Sequence, residues 1–147
     1  MFITQAILSY QVASNNGDAD GSVIDDPEEA PDFGLDQHEL DERTQLIEVA
    51  GSVDLFAAPE FKQALMGAID SGKRWIIVDL TAATLVDSTV LGTLLGARRR
   101  LSARRGGLAI VCPEPGIRKV FEVTGLERMF PVEAELEEAL EALHAAS

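Results

Sequence analysis

Residues 74–105 read RWIIVDLTAATLVDSTVLGTLLGARRRLSARR. The first seven, Arg74–Leu80, form a nearly continuous apolar run, the pattern of a strand covered on both faces. A loop is expected over Thr81–Asp87. Asp87-Ser88-Thr89 then opens a helical pattern. A hydroxyl at the cap, as of Ser88, accepts from an orphan backbone N–H, and an aspartate nearby suits the positive end of the helix dipole. At about 100° per residue, Val90, Leu94, Ala97 and Leu101 make the core stripe, with Leu91 and Leu95 beside it. Arg98 falls at the edge of that stripe and must snorkel. The opposite arc carries Ser88, Gly92, Gly96 and Arg99. Two glycines on an outward face are costly, each about 1 kcal/mol relative to alanine. Close packing on a sheet would account for one of them. A partner approaching the backbone beside Ser88 would account for both.

Strands and helices alternate on either side of this stretch. Phe33–Leu40 reads as a weak strand, followed by the turn Asp41-Glu42-Arg43. Thr44–Val53 is a stronger strand with β-branched residues. Ala57–Ser71 repeats apolar residues at helical spacing, with Pro59 in its first turn and Gly72 as its stop. After the central helix come a buried strand, Gly107–Cys112, and a helix, Pro113–Thr124, ended by Gly125. A short strand over Met129–Val132 and an acidic helix over Glu133–Ala146 complete the order. Such alternation predicts an α/β domain with a mostly parallel, mixed sheet and helices packed on it. In open sheets of this kind function lies beyond the carboxyl ends of the strands. Asp54 and the Thr81–Asp87 loop occupy those positions.

The chain has 147 residues, a length that suits one domain. Its net charge of −13 is concentrated at the front. Residues 1–42 hold eleven acids and no Lys or Arg, so the rest carries a net charge of only −2. Within that arm Ser14–Pro31 is nearly free of apolar residues and cannot offset the entropy of ordering. Residues 1–31 are therefore read as an acidic extension and residues 32–147 as the domain. Met1–Val12 is apolar without a basic n-region, so a signal peptide is not expected. It could dock on the domain or on a second subunit, which leaves a homodimer open.

The acidic balance argues against nucleic acid as a partner, because affinity there comes mainly from neutralising phosphates. No apolar run reaches the roughly 18–20 residues needed for membrane insertion. One cysteine, Cys112, excludes an internal disulfide, and with only His38 and His144 beside it a metal site is not expected. Cys112 ends an apolar strand and reads as an inert core thiol. The basic cluster Arg98–Arg100 with Arg104 and Arg105 sits where cations suit a helix C-terminus. No catalytic residues are assigned, since there is no nucleophile–histidine pair and no glycine-rich phosphate loop. No cofactor is expected. A phosphoacceptor-aspartate domain built on Asp79 is disfavoured. The acidic pair after the first strand and the late lysine that would hold magnesium and phosphate are missing.

Three segments resemble the STAS domain of bacterial anti-sigma factor antagonists. Gly51-Ser52-Val53-Asp54 is similar to that family's G-x-[LV]-D. Val78-Asp79-Leu80 followed by Leu85-Val86-Asp87-Ser88-Thr89-Val90-Leu91-Gly92 is similar to its V-D-[LF]…[LFI]-x-D-S-[ST]-G-[LV]-x. Gly107–Val111 with Val120–Leu126 is similar to its closing segment. The resemblance runs from about Asp32 to the C-terminus. It implies a cytoplasmic regulator of transcription, acting in a stress response by partner switching. The unphosphorylated form would bind an anti-sigma factor with serine kinase activity and free a sigma factor. Ser88 would be the phosphorylated residue. Asp54, Asp87, Thr89, Gly92, Gly96 and Arg99 would form the partner-binding surface. An alternative within the same fold is a non-phosphorylated STAS adaptor in a stress-signalling or lipid-transport complex. The chain departs from the pattern at Val90, a β-branched residue in place of glycine, whose side chain is expected to narrow the approach to Ser88.

Because the arm before Pro31 is acidic and apolar-poor, a chain lacking residues 1–30 should unfold in urea at nearly the same midpoint as the full chain. A large loss of stability would show that Met1–Val12 docks as part of the core.

Overall fold

A computed structural model describes residues 33–146. The acidic extension over 1–31 and the Met1–Val12 segment lie outside the described residues. The elements run β1 (Phe33–Asp41), β2 (Thr44–Val53), α1 (Ala58–Asp70), β3 (Trp75–Val86), α2 (Ser88–Ala103), β4 (Gly107–Val111), α3 (Pro115–Thr124), a short 3-10 turn (Leu126–Arg128), β5 (Val132–Glu133) and α4 (Leu136–Ala146). They form one five-stranded mixed sheet in the order β1-β2-β3-β4-β5. The β1–β2 hairpin is antiparallel and every other pair is parallel.

Strand order equals chain order, and right-handed crossovers along such a sheet all fall on one face. That face carries the larger core, where Phe61, Leu65, Ile69, Leu94, Leu101 and Phe121 from α1, α2 and α3 meet Ile76, Val78, Leu80 and Ile110. The helix α4 covers the opposite face. There Leu136, Ala139, Leu140 and Leu143 pack on Leu46, Ile77, Ala109 and Val111. Cover on both faces is why Ile76, Ile77 and Val78 are all apolar in succession. Cys112 belongs to the first core, and burial pushes its thiol pKa up, in keeping with an inert side chain.

The sheet differs from expectation at β3. The segment expected as a loop after Leu80 continues as strand to Val86. It contains two irregularities: β2 advances from Glu48 to Ala50 while β3 advances from Asp79 to Ala82, and Gly51–Ser52 faces Ala83–Leu85. Each extra residue is a bulge, which bends a strand and re-aims its side chains. Asp79, read as ending the strand, lies in its middle. Its carboxylate accepts from the Thr81 amide and hydroxyl at the first bulge. On that face, burial and then the facing Asp79 raise the pKa of Glu48, whose Oε1 lies 2.8 Å from His38 Nε2.

The amino ends of the strands are tied together by hydrogen bonds to backbone carbonyls. The Arg74 and Trp75 amides both donate to the Arg43 carbonyl, at 2.8 and 2.9 Å. Lys73, buried, donates to Glu39 and to the carbonyls of Asp41 and Glu42. The Gly107 amide donates to the Arg74 carbonyl at 2.9 Å. A Cβ at Gly106 would stand 1.9 Å from that same carbonyl oxygen.

Gly106→Ala should therefore lower stability by roughly 1–3 kcal/mol, the usual cost of forcing atoms into packed structure. Gly107→Ala, which meets only side chains, Leu143 at 3.1 Å and the Trp75 ring at 3.3 Å, should cost less. Urea unfolding of both variants checks the order.

Candidate functional site

The carboxyl ends of β2 and β3 finish in register. Val53 pairs with Val86, and the Asp87 amide donates to the Val53 carbonyl at 3.2 Å. Asp54 and Asp87 are thus the first residues beyond two neighbouring strand ends, which lie about 5 Å apart in a sheet. This is the edge at which the sequence placed function.

Each carboxylate builds the loop that follows it. Asp54 Oδ1 accepts from the Phe56 and Ala57 amides at 3.0 and 3.1 Å, and Ser52 Oγ lies 3.4 Å from Asp54 Oδ2. The residue before α1 is Ala57, which makes no side-chain cap, so Asp54 shapes the turn into the helix without being its N-cap. Asp87 is the N-cap of α2: its Oδ1 accepts from the Thr89 and Val90 amides at 3.0 and 3.3 Å. Capping is therefore done by Asp87 and not by Ser88. Ser88 is the first residue of α2 and is exposed, and its hydroxyl has no hydrogen-bond partner among the described residues. Thr89 is exposed beside it.

Val90 does not narrow the approach to Ser88. Its side chain is fully buried in the larger core. A β-branched residue at this position serves the packing of α2 on the sheet.

Gly92 and Gly96 continue one stripe from Ser88, at intervals of four residues on a helix. A Cβ at either would meet nothing within 4 Å. Close packing on the sheet thus accounts for neither. Arg99 closes the stripe and is exposed, with no ion pair among the described residues. Its neighbours have structural work. Arg98 Nε donates to the Met129 carbonyl at 2.6 Å, Arg100 Nη2 pairs with Asp70 at 2.7 Å, and Arg104 donates to the Ile69 carbonyl at the end of α1.

Sequence reasoning missed three apolar residues at this edge. Leu55 and Phe56 follow Asp54 in its turn and are 61% and 90% exposed, while Leu85, opposite Ser52, is 47% exposed. The available signal was the pair of large apolar residues between the Asp54 turn and Pro59, off the stripe that α1 buries. Exposed large apolar side chains near the strand ends are candidates for partner contact. Among the described residues no group of three or more His, Cys, Asp or Glu could hold a metal, and no helix is long and apolar enough to cross a membrane.

Comparison with known proteins agrees with this architecture. The STAS domain family model matches residues 37–139, so the chain belongs to the STAS domain family. It is 34% identical over 86 residues to an anti-sigma-B factor antagonist of Listeria monocytogenes, covering 57% of this chain and 74% of that one. An anti-sigma factor antagonist from Mycobacterium paratuberculosis superposes with a TM-score of 0.71 at 26% identity, covering 78% of this chain and 97% of that one. The anti-sigma factor antagonist SpoIIAA in its unphosphorylated form gives a TM-score of 0.66 at 26% identity, covering 76% and 97%. The phosphorylated form of SpoIIAA from Bacillus gives 0.60 at 27% identity, covering 74% and 97%.

Asp87→Ala should lower stability by about 1 kcal/mol, the value of an N-cap. Gly92→Ala and Gly96→Ala should each raise it by up to about 1 kcal/mol, because both sites have room and helical propensity improves. Unfolding midpoints of the three variants test this. Destabilisation by either glycine variant would mean that the stripe is packed in the native fold.

Proposed function

We propose that this chain is an anti-sigma factor antagonist working by partner switching in the cytoplasm. The unphosphorylated form binds an anti-sigma factor with serine kinase activity and releases a sigma factor. Phosphorylation of Ser88 ends that binding. One observation carries the reading: Ser88 stands exposed at the start of α2 with its hydroxyl unengaged, because Asp87 has taken the capping role. The names of the relatives and the existence of SpoIIAA in two phosphorylation states support it.

The physics of the switch follows from position. A phosphate adds about −1.5 to −2 charges at neutral pH. On Ser88 it lies at the positive end of α2, which tolerates it, so the fold is kept. It also lies beside Asp87 and at the same edge as Asp54, so the local surface becomes strongly negative. A partner seated on Ser88, Thr89 and the Gly92–Gly96 stripe then meets repulsion and bulk. Asp54 borders that surface, Arg99 closes it, and Leu55, Phe56 and Leu85 supply its apolar contacts.

Incubation with the cognate anti-sigma factor kinase and ATP should add one phosphoryl group to the intact mass. Ser88→Ala should abolish the gain while changing stability by less than about 1 kcal/mol, since no cap is lost. Phe56→Ala should weaken binding of the anti-sigma factor by about 2 kcal/mol, as for a central aromatic anchor, without destabilising the domain. Phosphate found on Thr89, or unchanged labelling of Ser88→Ala, would refute the assignment. A chain that binds its partner but is never phosphorylated would favour the STAS adaptor reading.

A further inference from the structure

A cleft of about 740 Å³ opens at the amino ends of β3 and β4, at the opposite end of the parallel strands from Ser88. Its walls combine Arg74, Arg98 and Arg105 with Trp75, Phe130 and Ser102, and contain no Asp or Glu. In a chain of net charge −13 this is a local reversal of sign. Among the described residues none of the three arginines is in an ion pair. Arg74 Nη2 donates to the Arg105 carbonyl at 3.0 Å and Arg98 Nε to the Met129 carbonyl at 2.6 Å, so backbone acceptors fix two of the three guanidinium groups without neutralising them. Among the described residues the buried Arg74 Nε has no hydrogen-bond partner, so this guanidinium is held through Nη2.

The geometry points to a binding site for a small aromatic oxyanion, a phosphate or carboxylate carried on a planar apolar body. Guanidinium forks match both oxyanions in bidentate geometry. The apolar part has the half-buried Trp75 to pack against. Trp75 is held edge-on to His144, with ring centroids 5.9 Å apart at 73°, and the Arg74 guanidinium lies 6.0 Å from its ring centroid. The volume falls within the roughly 300–1,000 Å³ of small-molecule sites. The ends of the strands are kept clear by Gly106 and Gly107, where side chains would meet Arg74, Trp75 and Leu143. This site does not depend on the partner-switching reading, and no anti-sigma factor enters its test.

Trp75 is the only tryptophan in the chain, so emission excited beyond the absorption of Tyr10 reports on this cleft. The full-length protein is titrated with phenyl phosphate, benzoate, inorganic phosphate and phenol. A saturable change with phenyl phosphate or benzoate is expected, and the tighter of the two identifies the preferred oxyanion. Phenol should give no saturable change, and inorganic phosphate should bind at least about tenfold more weakly, a difference of about 1.4 kcal/mol. Arg105→Gln should weaken binding about tenfold, in line with loss of one charged hydrogen bond. Arg105 is exposed and its side chain makes no hydrogen bond among the described residues, so this variant keeps the fold. Arg98→Gln should act the same way, with its unfolding midpoint measured alongside. Only linear, unsaturating quenching, or wild-type affinity in Arg105→Gln, would overturn the proposal. Inorganic phosphate binding as tightly as phenyl phosphate would overturn its aromatic part.

Discussion

The structure depends on two parallel strands ending together. Val53 and Val86 are paired, and the Asp87 amide is tied to the Val53 carbonyl. From that shared end two carboxylates turn the chain into two helices, each by accepting backbone amides two and three residues on. Because the carboxylates do this work, the side chains between and after them are released from it. Among the described residues the Ser88 hydroxyl has no partner, and Leu55 and Phe56 are exposed. An edge of exposed side chains thus arises from the hydrogen-bond needs of two loops.

The register itself requires the bulges of β3. Without two extra residues between Asp79 and Val86, the end of β3 would not meet Val53. This part of the fold was not legible in the sequence. Thr81–Leu85 alternates irregularly between exposed and buried positions, since each bulge breaks the period of two on which strand reading rests. By contrast the apolar run at Ile76–Val78 and the stripe Val90, Leu94, Ala97, Leu101 followed simple rules of burial, and the structure buries all of them. The exposed glycines of α2 were also legible as an oddity. Whether they packed on the sheet or faced outward needed the coordinates, because a helical wheel gives an angle and not a neighbour. The same limit applied to the capping role, expected of the Ser88 hydroxyl and performed by Asp87.

The domain has opposite ends of opposite chemistry. At the carboxyl edge lie Asp54, Asp87 and exposed apolar side chains. At the amino edge lie arginines around a tryptophan. Helix α2 spans the distance, carrying Ser88 at its start and Arg98 and Ser102 in its second half. Both ends rest on a sheet covered on both faces by α-helices, so chemical change at either edge acts on a rigid support.

The central claim is that phosphate on Ser88 changes a surface and leaves the fold intact. Backbone hydrogen exchange, compared between the unphosphorylated chain and the chain phosphorylated on Ser88, tests it most directly. The account predicts unchanged protection through β3 and β4, with differences confined to the loop after Val53 and the first turn of α2. Loss of protection across β3, or propagation of the change into the α1–α2 core, would contradict it.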